Sequence, residues 1–215
     1  MLKPPALPAD TYRGPEESGP VASQVLRRGM TRPLVQDFKA HSFRIELLND
    51  AHDRTGFRCA EEALNRYLQT QASQDMRRRV ANCFVAIESA TGQVAAFCTL
   101  SAASIPFVDL PPADAKRLPR YPTLPAVRIG RLAVDERFQG QCAFNSCASG
   151  LGAALLMNAI GRATKADAAA FTLLVDAKND RAAAFYRRYG FRSLISLPLT
   201  LFLPLSTALR SFHEK

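Results

Sequence analysis

The stretch from Val127 to Met157 constrains this chain most. It runs from an apolar segment, VRIGRLAV, through a glycine-containing connection into an Ala/Leu-rich segment, GLGAALLM. Val127 to Val134 is apolar and partly alternating, the pattern of a strand buried on at least one face, whereas Gly152 to Ile160 reads as the start of a helix. Gln139, Gly140, Gln141, Gly150 and Gly152 occupy the connection and the helix opening. The first amides of a helix lack internal partners and carry partial positive charge, and glycine lets backbone come close to an anion. A strand that enters a helix through such a turn suits a phosphate, although the same pattern also serves as a plain tight connection.

The rest of the chain gives this unit a setting. With 215 residues, 47% of them hydrophobic, the chain suits one domain with a buried core, or one domain with a tail. Residues 1–40 hold six of the 14 prolines among Gly, Ser and Glu and show no sustained period, so they read as a disordered extension ahead of a domain over 41–215. Met30 is an internal candidate start. The longest apolar run near the end, Leu194 to Leu205, holds two prolines and is shorter than the roughly 20 residues a membrane helix needs. No apolar signal core opens the chain, and these features together predict a cytoplasmic protein with no membrane partner.

Five cysteines without a framework fit reduced thiols. Cys142 and Cys147 are the close pair, and His41, His52 and His213 lie far from them, so no metal site is expected. The net charge of +9 favours an anionic partner such as nucleic acid, or serves solubility alone.

Taken in order, FRIELL from Phe43 predicts a first strand, and Cys59 to Ala81 a helix with Ala63, Leu64, Tyr67, Leu68 and Ala72 at helical spacing. Arg77, Arg78 and Arg79 close that helix, either as a solvated terminus or as phosphate contacts. CFVAIE and QVAAFCTL predict two strands joined by a turn at SATG, and Ile105 to Pro125 a long irregular loop carrying Lys116, Arg117 and Arg120. After the central helix, AFTLLVDA is a short strand and Asn179 caps an Ala-rich helix that Gly190 ends. Leu197 to Leu205 is expected to close the sheet, giving an α/β mixed sheet.

Removing Cys142 to Ser149 would leave RLAVDERFQGQGLGAALL, which closely resembles the strand, pyrophosphate loop and helix of the GNAT acyltransferases. Gln139, Gly150 and Gly152 fill the loop pattern of that superfamily. The eight residues CAFNSCAS interrupt it, and would either bulge outward or break the cradle. Asn179 to Phe191 resembles the second GNAT signature, an Asn followed by a helix ending in Phe-Tyr-x-x-x-Gly-Phe. A narrower resemblance runs from Phe43 to Leu205. AEEALNRYLQTQASQDMRRRVANCFVA after Phe57 and Cys59, PRYPTLPAVRIGRLAVD, and PLTLFLPL resemble the GNAT toxins of bacterial toxin–antitoxin pairs.

That resemblance implies a GNAT fold and an enzyme, with acetyl-CoA as cosubstrate, the α-amine of charged tRNA as acceptor, and translation as the process blocked. It also implies a homodimer and a ribbon-helix-helix antitoxin. By resemblance, backbone of Leu132, Ala133 and Val134 binds the pantetheine arm. Gln139, Gly140, Gln141, Gly150, Gly152 and Ala153 hold the pyrophosphate, Asn179 and Phe185 complete the cosubstrate site, and Tyr186 protonates the departing thiolate. Tyr189 is the competing tyrosine. Arg77, Arg78, Arg79, Lys116 and Arg117 are the candidate tRNA contacts. No Asp or Glu is marked as a base, which suits an α-amine that is largely neutral near pH 7. Two other readings remain open: a GNAT acting on a small amine or a protein N-terminus, and a degenerate fold that keeps only its antitoxin surface.

Overall fold

The computed structural model of the protein describes residues 42–116, 118–140 and 150–208. The expected N-terminal extension, Arg117, Gln141 and the CAFNSCAS segment lie outside the described residues. Strands β1 (Phe43–Leu47), β2 (Asn82–Glu88), β3 (Val94–Pro106), β4 (Thr123–Val134), β5 (Thr172–Asp176), β6 (Arg192–Ser193) and β7 (Thr200–Pro204) form one seven-stranded sheet. Its order is β1-β2-β3-β4-β5-β7-β6. The sheet is antiparallel except between β4 and β5. A parallel pair needs a crossover, which α4 (Leu151–Lys165) supplies.

The two faces of the sheet follow from alternation along the strands. Phe84, Cys98, Leu100 and Ile129 face α4 and α5 (Asp180–Arg187) in one core, to which α4 gives Leu151, Leu155, Leu156, Ala159 and Ile160. These positions recur at helical spacing, so one stripe of α4 is buried. Val85, Phe97 and Ala133 point the other way, against Tyr67, Leu68 and Ala72. The latter belong to α1 (Glu62–Arg66), a π-helical turn over Tyr67–Gln71, and α2 (Ala72–Arg77). On this second face Ile105, Leu124, Leu174 and Phe202 form a further cluster.

Several expectations shift at this level. The helix expected from Cys59 to Ala81 begins at Glu62, passes through the π turn and ends at Arg77, with Arg79 in the left-handed region at φ 57°. The loop expected over Ile105 to Pro125 is largely structured: β3 runs to Pro106, a 3-10 turn covers Phe107–Asp109, α3 covers Pro112–Ala115, and β4 starts at Thr123. Prolines hid this. Pro125 lies one residue before β5 joins β4 at Ala126, where a missing N–H costs no ladder bond. The last strand, β7, sits between β5 and β6 rather than at the edge.

The end of β4 is tied down by a carboxylate that the sequence did not single out. Asp135 is fully buried. It accepts hydrogen bonds from the Arg58 amide at 2.9 Å, the Arg137 amide at 2.9 Å, and Arg137 Nε and Nη2, both at 2.8 Å. Arg137 also donates to the Gly56 carbonyl and to Gln93. Burial alone would raise the Asp135 carboxyl's pKa, but the donors from Arg137 and Arg58 outweigh it and hold the group below its ordinary value. Stability from such a group is present above its unfolded pKa of about 3.9 and is lost as pH falls through the lower folded value. Asp135→Ala should cost about 3 kcal/mol at pH 7 in urea unfolding, with the gap to wild type narrowing below about pH 3. A gap independent of pH would contradict this account of the clamp.

Candidate active site

Strands β4 and β5 are paired only from Ala126 to Ile129 against Thr172 to Val175. Beyond that point β4 continues to Val134, still paired with β3 down to Ala96, while β5 ends at Asp176. Among the described residues, no strand pairs with the β5-side edge of β4 from Gly130 to Val134. That edge opens a wedge in the sheet. The register with β3 also slips here, because Thr99 pairs with Arg131 and Leu100 with Ile129, leaving Gly130 as an extra residue. Such a bulge bends the strand and increases its twist. Gln139 Nε2 donates to the Val134 carbonyl at 3.2 Å and closes the turn beyond the wedge, with Gly140 following at φ +74°.

Two helices meet at the wedge. Gly150 stands at the N-cap of α4 and has no side chain to satisfy the first amides. A Cβ on Gly152 would lie 3.6 Å from Val134 Cγ2, 3.8 Å from Leu132 Cδ2 and 3.9 Å from Phe185 Cζ. The lack of a side chain at Gly152 therefore keeps open a space between the end of β4, the start of α4 and the face of α5. Ala153, next along, is buried. Asn179 Oδ1 accepts from the Ala182 amide at 2.9 Å and fixes the start of α5, and Gly190 at φ +86° ends the turn that follows it.

On α5, Phe185 and Tyr186 touch edge to face at 5.1 Å, and Tyr189 packs on Phe185 at 5.3 Å. Tyr186 is 8% exposed, and among the described residues its hydroxyl has no hydrogen-bond partner. Burial, with a smaller contribution from Cys98, pushes its pKa up to about 12. The phenol is thus protonated across the physiological range and is an acid rather than a base.

The structure brings together Leu132, Val134, Gly152 and Phe185, with Tyr186 beside Phe185. Ala133 faces the opposite core and can serve the wedge only through its backbone. The candidate basic residues lie elsewhere. Arg77 to Arg79 are exposed at the end of α2, and Arg79 borders a cavity of about 1010 Å³ shared with Phe84, Met157, Asn158, Arg162 and Lys165. That cavity lies along the C-terminal half of α4 and shares no lining residue with the wedge. Lys116 is exposed just past α3. The start of β4, near it in sequence, is seven residues and so roughly 20 Å from Gly130. Two strand arginines missed in the sequence, Arg128 and Arg131, flank the wedge instead; their only sequence signal was two cations inside an apolar strand pattern.

Because the Tyr186 hydroxyl has no partner among the described residues, Tyr186→Phe should leave the unfolding free energy within about 0.5 kcal/mol of wild type. Tyr186→Ala should cost about 3–4 kcal/mol through the cavity it leaves. Urea titration of both variants checks this, and a large loss in the Phe variant would mean that the hydroxyl is structural.

The acetyltransferase (GNAT) domain family matches residues 79–193, more than half of the chain. A tRNA-acetylating toxin of Mycobacterium tuberculosis is 33% identical over 163 residues, which cover 75% of this chain and 91% of that protein. A Tyr-to-Phe variant of KacT superimposes with a TM-score of 0.70 at 30% identity, over 78% of this chain and 98% of that one. AtaT complexed with acetyl-methionyl-tRNAfMet gives the same TM-score of 0.70 at 30% identity, over 79% and 99%. AtaT is also solved with its antitoxin AtaR and acetyl-CoA, and a KacTA–DNA complex matches as well. With the family matched across strands β2 to β6 and a relative this close over most of both chains, the protein belongs to the GNAT acetyltransferases, as the segments around Gly152 and Tyr186 suggest.

Proposed function

We propose that this chain moves an acetyl group from acetyl-CoA to the α-amine of an aminoacyl-tRNA and so blocks translation. The observation that carries the reading is the wedge, where the edge of β4 left unpaired among the described residues, the uncapped start of α4 and Phe185 come together, with Tyr186 beside Phe185 on α5. The M. tuberculosis relative, named for acetylating tRNA, and AtaT, solved with an acetyl-methionyl-tRNA, support the choice of acceptor.

Each group has a task in that reaction. Backbone of Leu132 to Val134 lies along the pantetheine arm, and an amide there polarises the thioester carbonyl. The Gly150 and Gly152 region of α4, with Gln139, Gly140, Gln141 and Ala153, receives the pyrophosphate at the helix start. Asn179 acts by fixing α5, and Phe185 walls the space beside Gly152. The amine attacks the carbonyl carbon, the C–N bond forms and the C–S bond breaks, and Tyr186 gives its proton to the leaving sulfur. The ammonium proton released by the attacking amine restores the phenol.

The charge of +9 suits a nucleic-acid acceptor. Arg77, Arg78, Arg79 and Lys116, remote from the wedge, serve in this reading as contacts for distal parts of a large acceptor; Arg117 is proposed with them on sequence alone. A homodimer is supported by exposed apolar side chains around the β6–β7 connection and the β3–β4 hairpin end: Val108 at 80%, Tyr121 at 60%, Ile195 at 58% and Leu197 at 52%. The complexes of AtaT with AtaR and of KacTA with DNA support an antitoxin as the neutralising partner, and its ribbon-helix-helix type is proposed on the sequence resemblance alone. No described helix is long and apolar enough to cross a membrane, and a cytoplasmic site of action fits a translation target.

Labelled acetyl-CoA with a pool of charged tRNAs tests the reading. The intact chain should label the aminoacyl end, and Tyr186→Phe should reduce kcat about 10²–10³-fold. For wild type, kcat/KM should rise with pH to about 8 as the amine loses its proton and then stay level to about pH 10, because Tyr186 keeps its own. Transfer only after removal of Cys142 to Ser149 would mean a cradle disabled by the insertion. Turnover of a small amine in place of charged tRNA would overturn the acceptor.

A further inference from the structure

Arg128 and Arg131 are three residues apart and in a regular strand would face opposite sides of the sheet. The bulge at Gly130 changes this. Ile129 and Leu132 both pack into the core on the α4 side, so Arg128 and Arg131 share the other face. There the Arg131 guanidinium lies 3.6 Å from the centroid of the Tyr67 ring. Tyr67 is itself held by its hydroxyl, which donates to Asp75 Oδ2 at 3.0 Å, and by stacking on Phe97.

The two cations are poorly neutralised. Among the described residues Arg131 has no hydrogen bond or ion pair. Arg128 Nη1 lies 3.4 Å from Asp176 Oδ2, an exposed carboxylate that also accepts from Thr200, while Arg128 Nε is buried with no partner. Between the arginines stands Gly130, where a Cβ would come within 3.1 Å of Thr99 Oγ1. Gly130 is exposed between the two side chains, with the Thr99 hydroxyl packed close against its α-carbon.

Leu132, Val134, Gly152 and Phe185 mark the acyl donor's side of the sheet. In a gap within one sheet, an acceptor meets the donor by entering from the opposite face. We propose that Arg128 and Arg131 form an acceptor-side anion site that holds a phosphate of the single-stranded 3′ end of the charged tRNA while its amine enters the wedge. The proposal rests on the acceptor assigned above. A planar guanidinium already stacked on an aromatic ring, beside a second one whose head is partly exposed and held by one 3.4 Å ion pair, suits the fork geometry of a phosphate.

Steady-state kinetics of Arg128→Gln, Arg131→Gln and Arg131→Lys test the site, with acetyl-CoA affinity and the unfolding midpoint measured for each. Each Gln variant should raise KM for charged tRNA about tenfold, leave kcat and acetyl-CoA affinity unchanged, and reduce the log–log salt slope of KM by roughly 0.7. Arg131→Lys should recover part of the loss. An unchanged KM, or a fall in kcat and acetyl-CoA affinity in step with the unfolding midpoint, would overturn the site while leaving the acceptor intact. A wild-type chain that acetylates no charged tRNA would overturn the acceptor and the site together.

Discussion

The structure turns on where β5 leaves β4. Four paired positions hold the two strands together, and after Ile129 the backbone of β4 has, among the described residues, a strand on one side only. Unpaired backbone groups inside a protein are costly unless something satisfies them, so a sheet that opens in its middle rather than at its edge must have a use for the opening. The bulge at Gly130 and the clamp on Asp135 bracket the open stretch. One alters its twist and the other fixes its end to the segment around Arg58.

Once the strand is held open, the helices define what fits. Gly152 keeps the start of α4 clear of Leu132, Val134 and Phe185, while the Asn179 cap sets where α5 presents Phe185 and Tyr186. Burial does the electrostatic work on Tyr186. A phenol whose pKa burial raises to about 12 keeps its proton at neutral pH, which is the state a leaving thiolate needs. The two faces of the opening then differ in character: apolar and helix-covered on the side of Gly152 and Phe185, cationic on the side of Arg128 and Arg131.

What the sequence disclosed were local devices. The Asn179 cap, the Gly190 terminator, the apolar stripe of α4 and the glycines at its start are set by neighbours within a few residues, and each is present where the pattern placed it. The features that escaped depend on register or on distant partners. Asp135 meets Arg58 across 77 positions of sequence. Arg128 and Arg131 share a face only because one residue of β4 is left unpaired, which no periodicity in VRIGRLAV announces. The extended β3–β4 hairpin was obscured by prolines at positions 106 and 125, tolerable at strand ends and ladder gaps yet read in sequence as a loop. The basic run Arg77 to Arg79 was conspicuous in sequence and lies away from the wedge.

The central claim is that acyl transfer takes place at the open end of β4, and a crystal structure of the intact chain with acetyl-CoA tests it most directly. The account predicts the thioester oxygen about 3 Å from a backbone amide between Leu132 and Val134, with the sulfur beside the Tyr186 hydroxyl. Acetyl-CoA bound in the large cavity beside Arg79 and Arg162, with nothing in the wedge, would contradict it.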